Sequence, residues 1–246
     1  MEIIKYTDTF DEFQKKAWKN RRMNALALAI MKRAKNSDIP ESYLRIGKSK
    51  FLDLLDTSYH VDNAASMSAV DLANYIYDKP TEVMKKYTFI VIDGGDITNV
   101  ARKIAGFALL FRFIACDKNG KYVDCANLVH KVQSLSFDAS QEHRNDVCLE
   151  HKGYDALFIS ECLKDQFRTG WESGMFVNEI LESRDDYKKP TIISFTKQLP
   201  SKQMTENKFD TADFGRMLCI LSGVDQAPMS KVLRIRVKDM REWKNE

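Results

Sequence analysis

The 246-residue sequence predicts an α/β fold in which a parallel β-sheet is flanked by helices. Two observations predict it. Short apolar runs, several rich in β-branched residues and typical of buried strands, alternate along the chain with segments of helical periodicity. Several of these runs end in glycine or polar residues, as expected where ligands bind beyond the carboxyl ends of parallel strands. Hydrophobic residues make up 44% of the chain, enough to bury a substantial core.

The strongest single pattern begins with the apolar run Phe89–Ile92. Gly94 and Gly95 follow, and then apolar residues at helical spacing, which predicts a strand, a tight loop and a helix. This is the scaffold of a phosphate-binding loop, in which a lysine reaches the phosphates and a hydroxyl binds Mg²⁺ at a helix N-terminus. Thr98 stands at the hydroxyl position, but Ile97 precedes it where the lysine is needed. We therefore expect the nucleotide chemistry of this loop to be damaged or lost.

A second phosphate-loop signature, Gly47-Lys48-Ser49, is an alternative. Its leading glycine is replaced by Ser42, and no apolar strand precedes it, so the required context is missing. If it were the real loop, Asp93 would become the magnesium ligand, so the two interpretations exclude each other.

Other apolar runs predict the remaining strands. They are Lys121–Ala126, Tyr154–Ser160, Thr191–Thr196 and Val232–Val237. Helices are predicted at 98–112, 127–135, 176–184 and 209–221, and short amphipathic helices are predicted over residues 39–80. Because parallel strands end at one edge of a sheet, Glu161 and Ser194 should lie near Gly94.

The N-terminal 36 residues carry the positive charge. They hold nine basic and four acidic residues, so a net charge of +5 lies there and −2 lies on the remainder. From Phe10 to Lys35 the pattern is helical, with Lys and Arg opposite an apolar face. Pro40 ends this helix because it lacks an N–H and disfavours helical geometry before it. We predict a basic amphipathic arm, residues 1–37, and a core, residues 38–246.

The charge and apolar patterns supply two sets of candidate binding residues. Candidates for DNA phosphates are Arg21, Arg22, Arg234 and Arg236. Met23, Leu26 and Ile30 are predicted to bind a partner protein at helix-in-groove spacing, on a face that the core is expected to leave uncovered. A solvated helix packed on the core is the alternative.

Cysteines and histidines form no metal-ligand pattern. The five cysteines are odd in number and scattered, and the four histidines do not fall at ligand spacing near them. We predict no metal site and reduced thiols in a cytoplasmic protein. The longest Leu-rich run, Ala25–Met31, is too short to span a membrane, so no membrane partner is expected.

Taken in order, the motifs resemble the AAA+ helicase loaders of the DnaC/DnaI type and the related IstB transposition ATPases. Ile39–Tyr43 is similar to the Ile-Pro-x-x-Tyr segment at which those ATPase domains begin. Gly94–Ala105 is similar to their phosphate loop and following helix, and Tyr154–Glu161 to their Walker B strand. Glu179–Ser194 is similar to their Ile-Leu-x-x-Arg helix, polar link and Pro-Thr-Ile-Ile strand. The resemblance covers residues 38–242.

The resemblance implies a P-loop NTPase-like (AAA+) core and assigns site residues by position. Nucleotide-binding positions would be Gly94, Gly95, Thr98, Asn99 and Arg241. Glu161 would be the carboxylate that polarises the attacking water, and Arg216 the arginine finger. ATP and Mg²⁺ would be the cofactors if the loop were functional.

Three departures argue against that activity. Ile97 replaces the loop lysine, Asp96 puts negative charge where a glycine should face phosphate, and Ser160 replaces the Mg²⁺-coordinating Asp. Phosphoryl transfer depends on charge stabilisation around the γ-phosphate and the metal, so we expect a pseudo-ATPase with no bound cofactor.

The resemblance implies a DNA-replication accessory protein, of phage or mobile-element type, that binds a replicative helicase or a host helicase loader. Single-stranded DNA is a further candidate ligand, and a homo-oligomer is left open. The alternatives are an active AAA+ helicase loader that uses an atypical loop, and a structural subunit that keeps the fold only.

Overall fold

The computed structural model describes residues 21–62, 65–94, 99–134, 150–162, 180–195 and 232–238. Its strands are β1 Leu55–Asp62, β2 Ala65–Ser66, β3 Phe89–Gly94, β4 Gly120–Asp124, β5 Ala156–Cys162, β6 Thr191–Phe195 and β7 Val232–Val237. Its α-helices are α1 Arg21–Asn36, α2 Lys48–Leu54, α3 Ala69–Asp78, α4 Pro80–Lys86, α5 Val100–Ala115, α6 Cys125–Gln133 and α7 Ser183–Asp186. A 3-10 helix spans Glu41–Arg45.

These strands form one sheet in the order β2-β1-β7-β3-β6-β5-β4. Strands β3 to β7 are parallel: β3 pairs with β6 and β7, and β5 pairs with β4 and β6. At the other end of the sheet, β1 is antiparallel to β7, and β2 is antiparallel to β1. The predicted fold class, an α/β fold with a parallel sheet flanked by helices, is confirmed, with β3 inside the sheet.

The strand and helix on either side of the predicted loop are both buried. Residues 89–92 of β3 are each exposed by 2% or less, which suits the uninterrupted apolar sequence of a strand covered on both faces. Helix α5 lies directly on the sheet. A Cβ at Gly106 would lie 2.1 Å from the Phe158 ring of β5, so only glycine permits this close approach.

The arginine of the Ile-Leu-x-x-Arg motif has a structural role. Arg184 is fully buried in α7. Its guanidinium donates to the carbonyl oxygens of His151, Tyr154 and Pro190 at 2.8–2.9 Å, and to Oγ1 of Thr191 at 2.7 Å. Burial lowers its pKa to about 9, which still leaves the group charged at neutral pH. Arg184 thus joins the amino ends of β5 and β6.

Helix α1 packs against the core. Ile30 and Ala34 are exposed by 1% and 0%, and Arg33 forms an ion pair with Asp117, just beyond the end of α5. The expectation that the core leaves the apolar face of the arm uncovered is therefore wrong for Ile30. Leu26 remains exposed.

The chain that follows α1 runs beside β4. The N–H of Tyr122 donates to the carbonyl of Ser37 at 2.9 Å, and Nζ of Lys121 lies 2.7 Å from Oδ2 of Asp38. This hydrogen bond from Lys121 to Asp38 raises the pKa of Lys121. Residue 37, where the predicted arm ends, is only 2% exposed. Contacts with the core therefore cross the predicted boundary.

The segment between residues 39 and 80 contains strands as well as the expected short helices. The residues of β1 and β2 were expected to be helical. β1 forms a strand because it pairs with β7, and such pairing overrides a weak local preference.

Lys48 begins α2, and a 3-10 helix precedes it where a phosphate loop would need a strand. Nζ of Lys48 binds Oδ2 of Asp78 at 2.9 Å. The structure therefore excludes the alternative phosphate loop at Gly47-Lys48-Ser49.

Candidate functional site

The carboxyl ends of β3, β5 and β6 bring several predicted residues together. Gly94 ends β3, Ser160 and Glu161 lie near the end of β5, and Ser194 lies near the end of β6. The N–H of Glu161 donates to Oγ of Ser194 at 3.0 Å. This edge is where parallel α/β sheets place their ligands.

A buried arginine lies at the centre of this edge. Arg102 belongs to the first turn of α5, and its side chain is 1% exposed, beside that of Glu161 at 8%. Its Nε lies 3.4 Å from Oε1 of Glu161, and its Nη2 lies 3.5 Å from Oε2. Its Nη1 donates to the carbonyl of Gly94 at 2.5 Å. The guanidinium therefore links the carboxyl ends of β3 and β5.

Arg102 was not identified from the sequence, for a physical reason. Helical periodicity assigns it to a polar face, away from Ile104, Phe107 and Ala108. However, α5 has almost no solvent face, because thirteen of its sixteen residues are buried. The sequence signal was an arginine in the first turn of a largely apolar helix that follows a glycine loop.

Glu161 is held by its backbone as well as by its carboxylate. Its φ of 61° is left-handed, a conformation that is uncommon for residues other than glycine and is often found at functional sites. Ser194 accepts from the N–H of Glu161, and its own Oγ lies 3.5 Å from Oε1 of Glu161. The carboxylate thus lies between the Ser194 hydroxyl and the Arg102 guanidinium.

Ser160, which the resemblance aligns with the Walker B aspartate, has partners of its own. Its Oγ lies 3.0 Å from the hydroxyl of Tyr122 and 3.4 Å from Oδ2 of Asp124. Oδ1 of Asp124 accepts from the N–H of Ala126 at 3.0 Å. A hydroxyl, not a carboxylate, therefore stands at the position expected to hold magnesium.

The two ends of the predicted loop have left-handed backbones. Gly94 has a φ of 83°, and a Cβ there would lie 2.6 Å from the carbonyl oxygen of Val237, so the position requires glycine. Asn99 has a φ of 57°, and its side chain does not cap α5. It precedes the helix without acting as a conventional N-cap.

Several predicted residues lie outside what the structure describes. They are Gly95, Thr98, Arg216 and Arg241. Arg21, Arg22 and Met23 belong to the backbone of α1, but their side chains are also outside the described residues. Their predicted roles remain predictions.

The two DNA-binding candidates in β7 face a buried carboxylate. Asp93 is 0% exposed, and Oδ2 of Asp93 accepts from Nε of Arg234 at 2.9 Å. Nε of Arg236 lies 3.7 Å from Oδ1 of Asp93. The side chains of the two arginines are only 13% and 21% exposed. They connect β7 to β3, and their contact with DNA phosphates stays a prediction.

The described residues at the carboxyl ends of β3 and β5 do not fit Mg·ATP. A carboxylate that polarises water must be free to interact with it, whereas both oxygens of Glu161 face Arg102. The buried guanidinium of Arg102 in turn presents no accessible charge to a phosphate. Among the described residues, no group of three His, Cys, Asp or Glu side chains is placed to hold a metal ion. No described helix is long and apolar enough to cross a membrane.

No family model matches the sequence, and no curated protein matches it. Solved structures similar to the chain include a DnaI (12% identity, TM-score 0.49, covering 80% of this chain and 92% of that one). Others are the DnaC helicase loader (14% identity, TM-score 0.43, covering 68% and 87%) and a DNA replication initiation factor (13% identity, TM-score 0.47, covering 67% and 44%). The chain thus spans less than half the length of that initiation factor. At these sequence identities and TM-scores, the structural similarity does not indicate a function.

Proposed function

We propose that the protein is a DNA-replication accessory factor that resembles a helicase loader but does not turn over ATP. It acts by binding a replicative helicase or a helicase loader. One observation supports the proposed loss of ATPase activity: the guanidinium of Arg102 is buried against the carboxylate of Glu161. By the resemblance, this carboxylate is the one that an AAA+ ATPase needs to activate water.

Electrostatics support this proposal. A buried carboxylate is costly unless it is paired, and Arg102 supplies the pairing charge from inside the protein. In a working site, magnesium and the loop lysine would bring positive charge together with the nucleotide. Here Arg102 already neutralises the carboxylate of Glu161. For Glu161 to activate water beside a bound nucleotide, this ion pair would have to open.

The exposed part of α1 supports the partner proposal. Leu26 and Leu28 are 40% and 69% exposed, and Lys32 and Lys35 are exposed further along the same helix. Leu28, Lys32 and Lys35 share one face of the helix, whereas Leu26, two residues before Leu28, lies on nearly the opposite face. An exposed leucine beside cations suits a protein groove with acidic margins. Binding of single-stranded DNA, as a secondary property, would be electrostatic, salt-sensitive and dependent on the basic arm.

We expect the purified full-length protein to show neither nucleotide binding nor ATP hydrolysis. Thermal-shift measurements with MgATP and MgADP test binding, because a ligand at a hundred times its Kd would stabilise the fold by about 2.7 kcal/mol. Phosphate release, with and without single-stranded DNA, tests turnover. Hydrolysis that is abolished by Glu161→Gln would overturn the pseudo-ATPase proposal and support the active-ATPase alternative.

The Leu26→Asp/Leu28→Asp double variant should lose partner capture and keep the melting temperature of the parent, because both side chains are already exposed. Pull-down of a purified replicative helicase, and separately of a helicase loader, measures capture. Val70→Asp is the matched control, since Val70 is 54% exposed on α3. Capture that survives in the double variant and fails in the Val70 variant would assign the contact to the other surface. Ile30→Asp is unsuitable here because Ile30 is buried.

A further inference from the structure

Two buried thiols meet at the carboxyl edge of the sheet. Cys125 begins α6 directly after β4, and Cys162 ends β5. Strands β4 and β5 are parallel neighbours, with Asp124 opposite Ser160. Cys125 directly follows Asp124, and Cys162 comes two residues after Ser160, where the register of β5 is irregular, so the two cysteines lie at the same end of adjacent strands. Both are free thiols, exposed by 0% and 1%. Cys125 lies near enough to Cys162 to contribute, after burial, to the raised pKa of the Cys162 thiol.

We propose that Cys125 and Cys162 are an oxidation site at which a peroxide closes a disulfide. Neighbouring strands lie about 4.8 Å apart, within the range of roughly 4.4–6.8 Å between Cα atoms that disulfides require. Because the two cysteines lie at the same end of neighbouring strands, the bond needs only a local movement of the backbone. Cys116 follows the end of α5 and precedes the amino end of β4, whereas Cys125 follows the carboxyl end of β4, so Cys116 does not compete for either thiol.

The reaction with hydrogen peroxide balances in two steps. The thiolate of one cysteine attacks a peroxide oxygen; an S–O bond forms, the O–O bond breaks, and the departing hydroxide is protonated to water. The second thiol then attacks the sulfenic sulfur; the S–S bond forms, the S–O bond breaks, and a second water leaves. The two thiols together lose two electrons, which reduce the peroxide.

The surroundings keep the Cys162 thiol protonated. Burial raises the pKa of the Cys162 thiol well above its ordinary value, and the neighbouring Cys125, Glu161 and Asp124 raise it further. Because the thiolate is the reactive form, oxidation should be slow at neutral pH and faster as pH rises. A buried pair of this kind responds to sustained peroxide exposure and is insensitive to brief pulses.

Closure would join the start of α6 to the residue that follows Glu161. This would fix the spacing between β4 and β5 at the edge where Ser160 and Glu161 lie. The inference depends only on the two thiols, so it stands whether or not the proposed replication function is correct.

Native full-length protein is incubated with hydrogen peroxide at neutral and mildly alkaline pH, then alkylated under denaturing conditions and digested without reductant. Mass spectrometry should find a peptide pair linked through Cys125 and Cys162, lighter by two hydrogens, forming faster at the higher pH and released by dithiothreitol. Cys116→Ala should keep the linkage, while Cys125→Ala and Cys162→Ala should each remove it. The oxidised protein should also melt at a higher temperature than the reduced protein, because the unfolded chain is cross-linked.

Several outcomes would overturn the proposal. Both thiols could remain alkylatable after prolonged peroxide treatment, even in denaturant just below the unfolding transition. Each could instead become a separate sulfinic acid, or link to a different cysteine. Mapping of the unsubstituted protein decides among these outcomes, so the test does not depend on whether the alanine variants fold.

Discussion

Arg102→Met is expected to lower the free energy of unfolding by about 3–5 kcal/mol, the usual cost of removing one partner from a buried ion pair. It leaves the carboxylate of Glu161 buried beside an apolar side chain, and it removes the donor from the carbonyl of Gly94. Total stabilities of single domains are about 5–15 kcal/mol, so this loss would bring the fold close to unfolding. Denaturant titration followed by circular dichroism measures it.

A double-mutant cycle gives the decisive comparison. Glu161→Met added to Arg102→Met removes the uncompensated charge, so the double variant should recover much of the lost stability. Lys103→Met is the control, because Lys103 is the next residue of the same helix and is only partly buried. A loss below about 1 kcal/mol for Arg102→Met would mean that the pair is not desolvated, and it would remove the main support for the pseudo-ATPase proposal.

Arg184→Met is expected to have an effect at least as large. The substitution removes the hydrogen-bond donor from three carbonyl oxygens and one hydroxyl that now accept from Arg184. Each unsatisfied buried acceptor costs about 1–3 kcal/mol, so the variant should accumulate as insoluble or partly unfolded protein. Thermal melting and soluble yield measure the effect.

Arg184→Lys should rescue only part of this loss, since a compact ammonium cannot reproduce the planar fork of donors. Lys188→Met in the same segment is the control: Lys188 is 62% exposed and only 3.5 Å from Asp185, and such surface pairs contribute little. If Arg184→Met and Lys188→Met melt at the same temperature, the buried network is not what joins β5 to β6.

The sequence predicted the parts of the fold that depend on local pattern. Strands β3 to β7 were recognised because their runs are rich in apolar or β-branched residues. Strand β1 was missed, because its partner β7 lies far away in sequence and no local signal reports such a pairing. The burial of Ile30 was missed for the same reason.

The candidate site was predictable only in outline. Strand ends indicated that Gly94, Glu161 and Ser194 would lie together, since that follows from topology. The ion pair of Glu161 with Arg102 depends instead on how α5 sits on the sheet, and that packing depends on the absence of a side chain at Gly106. Periodicity cannot distinguish a buried arginine from a solvated one when the helix has no solvent face.

The chain beside β4 has a further consequence. β4 is the last strand of the described sheet, and an unprotected outer strand is a template for pairing with another molecule. The carbonyl of Ser37 accepts the hydrogen bond of the Tyr122 N–H, and the ion pair of Lys121 and Asp38 lies beside this bond. The residues that connect α1 to the core therefore block part of the outer edge of β4 from pairing with a strand of another molecule. A core that begins at residue 38 would leave the N–H of Tyr122 unpaired and would be more prone to edge-to-edge aggregation.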